Sequence, residues 1–148
     1  MNYLHDFSVG QVFIAGPLEV TADEIKQFAQ RYDPQPFHLD EAAAEASFFK
    51  GLAASGWMTG SLSMRLLTEC GLNIPGGLIG AGVELSWPRP TFAGDVIRLE
   101  TTVLELLPSR SKPDRGMIRI QSRTLNQREE EVMIMTARVL APVRPDAR

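Results

Sequence analysis

Asp33 and His38 are separated by Pro34-Gln35-Pro36-Phe37, and they are the residues of this chain best suited by type and spacing to move a proton. Each proline fixes its own φ and restricts the residue before it, so the carboxylate and the imidazole sit on a stiff link. Imidazole titrates near neutral pH, and a carboxylate can orient the ring or hold a water. Together they can position one water molecule and move its proton. The same residues also suit a structural reading, in which Asp33 caps a helix and His38 is a core histidine bonded to backbone. His5, the other histidine, lies in a polar N-terminal stretch and is expected at the surface.

A second feature is Gly51-Leu52-Ala53-Ala54-Ser55-Gly56-Trp57, a small-residue segment that leads into an apolar periodic stretch. Backbone amides at a helix start are unpaired and carry partial positive charge, so the N–H of Gly56 could hold a carbonyl oxygen that becomes anionic. Small residues there would equally allow close packing. Other chemistries fare worse. Ser55 is not in a Gly-x-Ser-x-Gly elbow, Asp33, His38 and Asp40 are a poor metal-ligand set, and Gly76–Gly82 lacks the strand, helix and acid order of a dinucleotide site.

The elements that must carry these residues are legible from periodicity. Val12-Phe13-Ile14 closed by Gly16-Pro17 reads as a strand. Thr21-Ala22-Asp23-Glu24 is a Thr-x-x-Glu capping box that should open a helix, with Ile25, Phe28 and Ala29 as its apolar face and Pro34 and Pro36 beyond its end. Asp40 should start a short helix toward Phe49. A longer one is expected from Gly56 to Glu69, with Met58, Leu62 and Leu66 as its stripe and so few polar residues that it should be largely buried. After a Gly/Pro-rich loop over 71–82 the period becomes two. Val83 to Trp87, 95–107, 117–125 and Val132 to Leu140 then read as strands, the last two as a hairpin through Asn126–Glu129. Helices followed by an antiparallel run indicate an α+β fold, a sheet wrapped around the long helix.

A length of 148 residues suits one domain, and 44% hydrophobic with 22% charged residues suits a globular core. The segment 141–148 is expected to fray. Arg65, Glu69, Glu84 and Arg89 interrupt the longest apolar runs, so no membrane span is expected, and the N-terminus lacks the pattern of a secretory signal, which makes the cytoplasm the expected compartment. Cys70 reads as a packed thiol. A net charge of -3 gives no general attraction to nucleic acid. A local exception is Arg110, Lys112, Arg115, Arg119, Arg123 and Arg128, among which Asp114 is the acidic neighbour in sequence. These residues suit either a solvated strand face or a phosphate-binding rim.

Tyr32 to Asp40 resembles the hydratase signature Asp-x-Asn-Pro-x-His of the MaoC-like dehydratases, the (R)-specific enoyl-CoA hydratases. The likeness extends through Gly51–Thr59 and Trp87–Asp95. It departs at Gln35, where the family often has Asn, and at Ser55, where many members have His. The resemblance implies a hot dog fold, an antiparallel sheet around a central helix, and a homodimer or higher homo-oligomer. It implies that Asp33 and His38 activate one water for addition to a trans-2-enoyl thioester, or eliminate it from the (R)-3-hydroxyacyl thioester. Gly56 N–H would hold the thioester oxygen, Ser55 would line the substrate site, and Arg110, Lys112 and Arg115 would contact the coenzyme A phosphates. No metal or redox cofactor, nucleic acid or membrane partner is expected. A thioesterase of the same fold, or a non-catalytic acyl-thioester binder, are the alternative readings.

Overall fold

A computed structural model describes residues 1–145. After a 3-10 turn at Leu4–Asp6 come β1 (Val12–Glu19), α1 (Ala22–Tyr32), α2 (Pro36–Leu39), α3 (Glu41–Glu45) and α4 (Gly56–Glu69), followed by β2 (Gly80–Ser86), β3 (Val96–Pro108), β4 (Arg115–Leu125) and β5 (Glu131–Pro142). The strands form one antiparallel sheet in the order β1-β3-β4-β5-β2. The first and second strands are therefore its two edges.

Period-two patterning decides which face is covered. Ile97, Leu99 and Val103 of β3, Ile118 and Ile120 of β4, and Ala137, Val139 and Ala141 of β5 are buried, and they form one core with Met58, Leu66 and Leu67 of α4. Full burial of each large aliphatic side chain contributes about 1.5–3 kcal/mol. Helix α1 starts as its sequence predicts, with Thr21 Oγ1 accepting from Glu24 N at 3.2 Å. The reciprocal Glu24 bond of the capping box is not made. Asp40 caps α3 through Ala43 N at 2.8 Å. Cys70 is buried, its thiol donates to Leu67 O at 3.1 Å, and burial pushes its pKa up, as a packed thiol requires.

Three expectations need correction. Helix α4 is covered on one face only, since Trp57 is 62% and Met64 41% exposed; the sheet reaches one side of it. Strand β1 does not end at Gly16-Pro17 but runs on to Glu19 through a register shift between Ala15 and Leu18. Fraying from Ala141 also fails: Ala141 pairs with Gly116 and is fully buried, Val143 N donates to the Asp114 carbonyl at 2.8 Å, and Arg144 pairs with Asp6 at 2.7 Å. Residues 146–148 lie outside the described residues. No helix among the described residues is long and apolar enough to cross a membrane.

Polar seams pin α4 to the sheet. Ser63 Oγ donates to the Thr59 carbonyl at 2.7 Å, which leaves the Thr124 hydroxyl to donate to Ser63 at 2.6 Å. Both residues are buried. Ser63→Ala strands the Thr124 donor and should cost about 1–3 kcal/mol, whereas adding Thr124→Val removes the orphan and should recover part of that loss. Urea unfolding of both variants measures the difference; a double variant no more stable than Ser63→Ala contradicts the account.

Candidate active site

Asp33 and His38 are placed by the turn that links α1 to α2. The Asp33 N–H closes α1 on the Ala29 carbonyl at 2.9 Å, and the Gln35 N–H returns to the Asp33 carbonyl at 2.8 Å. Pro36 is the first residue of α2, where its missing N–H costs nothing. This single turn was not foreseen as a helix; it carries His38, which is 5% exposed. Phe37 packs edge-on against the imidazole at 4.6 Å.

The ring is held from below. His38 Nδ1 lies 2.5 Å from the Ala53 carbonyl, and since a carbonyl only accepts, Nδ1 carries the hydrogen. In the neutral ring, Nε2 is then an acceptor. It faces Asp33 Oδ2 at 3.3 Å. Two acceptors pointed at one another suit a molecule that brings two hydrogens, which is what water offers.

Asp33 is fixed on its other side by Gln35 Nε2, which donates to Oδ1 at 2.5 Å. The Ser55 hydroxyl nearby also works to lower the pKa of this carboxyl, while its Oγ accepts from Trp57 N at 3.3 Å. Partial burial works to raise the Asp33 pKa; hydrogen-bond donors on its other side, Gln35 first, outweigh it and hold the carboxyl below its ordinary value. The carboxylate is thereby kept ionised, as an acceptor must be.

Ser55, itself 1% exposed, is the N-cap of α4. Gly56 is the first residue of that helix, and its N–H takes no partner among the described residues. The segment is locked to the sheet end by Ala54 N donating to Thr91 O at 2.8 Å and by the Ala53–Phe92 bridge. Glycine at position 56 makes room for Trp87: a Cβ there would sit 2.8 Å from Trp87 Cε2 and the indole would have to shift. The indole of Trp87 in turn meets Trp57 edge-on at 5.4 Å.

These pieces enclose a cavity of about 520 Å³ whose walls include Asp33, His38, Ser55, Gly56, Trp87 and Arg89, a size usual for small-molecule sites. Asp33, His38, Ser55 and Gly56 are thus brought together. Arg110, Lys112 and Arg115 are not among the lining residues; they lie at the β3–β4 turn. The cation that does line the cavity is Arg89, paired with Glu130 at 3.2 Å. Its position, and that of Trp87, had one sequence signal, the segment Trp87-Pro88-Arg89-Pro90 after a strand. The rest of the basic stretch is largely neutralised across strands, Arg119 by Glu105 and Arg123 by Glu100 and Glu131. Among the described residues no three His, Cys, Asp or Glu side chains gather as a metal would need.

The depressed pKa of Asp33 has a linked effect on stability. A carboxyl whose pKa is lower in the folded chain stabilises it above the unfolded value, about 3.9, and loses that contribution as pH falls through the folded value. The stability advantage of wild type over Asp33→Asn should be full near pH 7 and shrink below pH 4. A difference constant across that range in urea titrations contradicts the ionised-carboxylate assignment. Gly56→Ala should displace Trp87 and narrow the cavity, seen as reduced Trp57–Trp87 coupling in near-UV circular dichroism; an unchanged spectrum opposes it.

Comparison with known proteins identifies the family and the fold. Residues 6–124 match the model of the MaoC like domain. The chain is 53% identical to the MaoC-like dehydratase from Rhodospirillum rubrum, with a TM-score of 0.94 over 98% of this chain and 99% of that one. It is 35% identical to the uncharacterized protein YdeM of Bacillus subtilis (strain 168), over 87% of this chain and 91% of that one. It is 30% identical to the 3-hydroxybutyryl-CoA dehydratase of Methylorubrum extorquens, over 74% of this chain and 69% of that one. The sheet with α4 against its face is accordingly a single hot dog fold, and the chain belongs to the MaoC-like dehydratase family.

Proposed function

We propose that this chain is a hydro-lyase that adds water to a trans-2-enoyl thioester of coenzyme A, or removes it from the (R)-3-hydroxyacyl thioester. The observation that carries the reading is the pair of facing acceptors, Asp33 Oδ2 and His38 Nε2, 3.3 Å apart at the wall of the cavity. A water donating one hydrogen to each turns a lone pair outward. Its oxygen bonds to Cβ of the enoyl group, one proton passes to the Asp33/His38 pair, and the π electrons move to the thioester oxygen. The enolate formed there accepts a hydrogen bond from Gly56 N–H at the positive end of α4. Return of a proton to Cα completes the addition, and the reverse sequence is elimination.

All steps are proton transfers and one C–O bond change, so the reaction calls for no metal or redox cofactor. The named activity of the Methylorubrum relative, a CoA-ester dehydratase, supports the substrate class. The aromatic walls at Phe37, Phe49, Trp57 and Trp87 suit an apolar acyl chain. Assembly as a homodimer or higher homo-oligomer is part of the same proposal.

The test is the enoyl-thioester absorbance of crotonyl-CoA on mixing with the purified chain. It should fall with wild type, with the CoA still esterified, and Asp33→Asn or His38→Ala should be slower by about 10²–10⁴-fold. Near-full rate in either variant would falsify the mechanism, and release of free CoA would point to a thioesterase instead.

A further inference from the structure

Arg89 is the one Lys or Arg among the residues that line the cavity, and the hydration chemistry gives it no task. Its place in the chain is stiff. Strand β2 ends at Ser86, and Pro88 and Pro90 then flank Arg89, each fixing its own φ and restricting the residue before it. Two residues on, the Thr91 carbonyl accepts from Ala54 N at 2.8 Å, beside the Ser55 and Gly56 that open α4. Two residues of chain span at most about 7 Å, so Arg89 springs from backbone close to the amide assigned to the thioester oxygen.

The guanidinium is only loosely committed. Its Nε lies 3.2 Å from Glu130 Oε2 with the side chain 51% exposed, and among the described residues none of its N–H groups is aligned to donate a hydrogen bond. Glu130 has better donors, Arg128 Nε at 2.6 Å and Asn126 Nδ2 at 3.3 Å, both to Oε1. These two do most to hold the Glu130 carboxyl below its ordinary value; Arg89 adds less, through charge. Arg89 can therefore turn to a ligand without leaving that carboxylate bare, and the planar fork of a guanidinium matches the two oxygens of a carboxylate.

Distance decides which anion it meets. On a coenzyme A thioester the phosphates sit at the far end of the pantetheine arm, away from the reacting carbonyl. Arg89 instead shares one cavity of about 520 Å³ with Asp33, His38 and Gly56. An anionic group that near to the reacting carbons belongs to the acyl chain. The aromatic walls take the apolar carbons of that chain, and the cation takes an acid at its end. We infer that Arg89 binds a free carboxylate on the acyl group, so that the thioesters this chain prefers are those of dicarboxylic acids. The inference rests on the hydro-lyase reading of the cavity and names its substrate class.

Substrates matched in length and differing at the chain end test it: trans-glutaconyl-CoA against trans-2-pentenoyl-CoA, and trans-2-hexenedioyl-CoA against trans-2-hexenoyl-CoA. Wild type should show a kcat/KM about tenfold or more higher for the acid of at least one pair, as for a charge-assisted bond gained. Arg89→Gln should bring that ratio close to one, a change that a general loss of activity or fold would not produce. The wild-type ratio should persist when pantetheine replaces coenzyme A, since the phosphates take no part in it. No preference for the acid of either pair, an unchanged ratio in Arg89→Gln, or a preference that disappears with the phosphates overturns the inference. Calorimetric binding of the saturated thioesters glutaryl-CoA and pentanoyl-CoA, and of adipyl-CoA and hexanoyl-CoA, separates it from the reading beneath it. Tighter binding of the acid, lost in Arg89→Gln, with no hydration of any enoyl thioester, overturns the hydro-lyase reading alone. Hydration of the neutral substrates with no tighter binding of either acid overturns the inference alone; no binding of any of the four overturns both.

Discussion

The hydrogen bond between His38 Nδ1 and the Ala53 carbonyl, at 2.5 Å, is the constraint on which the site depends. It joins the turn after α1 to the segment that opens α4. It also sets the tautomer, because the carbonyl can only accept. With Nδ1 committed, Nε2 is turned toward Asp33, and the pair becomes a site for two hydrogens. Were the hydrogen on Nε2 instead, Asp33 would face a donor, and the pair would no longer offer two acceptors to one water.

The segment that supplies this carbonyl is itself held by the sheet. Ala54 donates to Thr91 at 2.8 Å, and Thr59 one turn into α4 donates through Oγ1 to Thr91 Oγ1 at 3.3 Å. Ser55 sits between the two chemical features: its hydroxyl lies near the Asp33 carboxylate and takes the Trp57 amide. The acid and the helix start with its open Gly56 amide thus adjoin one small buried residue. Proton-moving groups on loops gain precision when rigid elements clamp those loops, as α4 and the sheet do here.

Charge is arranged differently at the two ends of the sheet. Near the cavity, Glu130 is shared by Arg89 and Arg128, so the cations around the β4–β5 turn are answered by acids. Along the strands, Arg119 and Arg123 meet cross-strand glutamates. At the β3–β4 turn the cations are left with Asp114 alone in sequence and space for Arg115, and with no side-chain partner for Arg110 and Lys112 among the described residues. An anionic ligand can take an unpaired exposed cation without breaking a pair, whereas a paired one must first leave its carboxylate, at a modest cost in solvent.

The order of the longer elements and the bounds of α4 were legible in the sequence, and Asp33 and His38 stood out in it as candidates, because caps, prolines and period-two alternation act over a few residues. The span Gly56–Glu69 coincides with the helix its apolar stripe predicts. What the local pattern could not carry was everything set by contacts distant in sequence. The glutamates that neutralise Arg119 and Arg123 come from other strands or from across a turn, so a run of cations read along the chain looked barer than it is. Coverage of α4 on one face depends on where the sheet ends, and the order of Ala141 depends on its pairing with Gly116. The facing of Asp33 and His38 over the Ala53 carbonyl, and the indole of Trp87 against Gly56, exist only once α2, α4 and the end of β2 are packed together. The sequence by itself determined which groups could react and on which elements they ride; tertiary structure decided which of them meet, because hydrogen bonds and packing act through space.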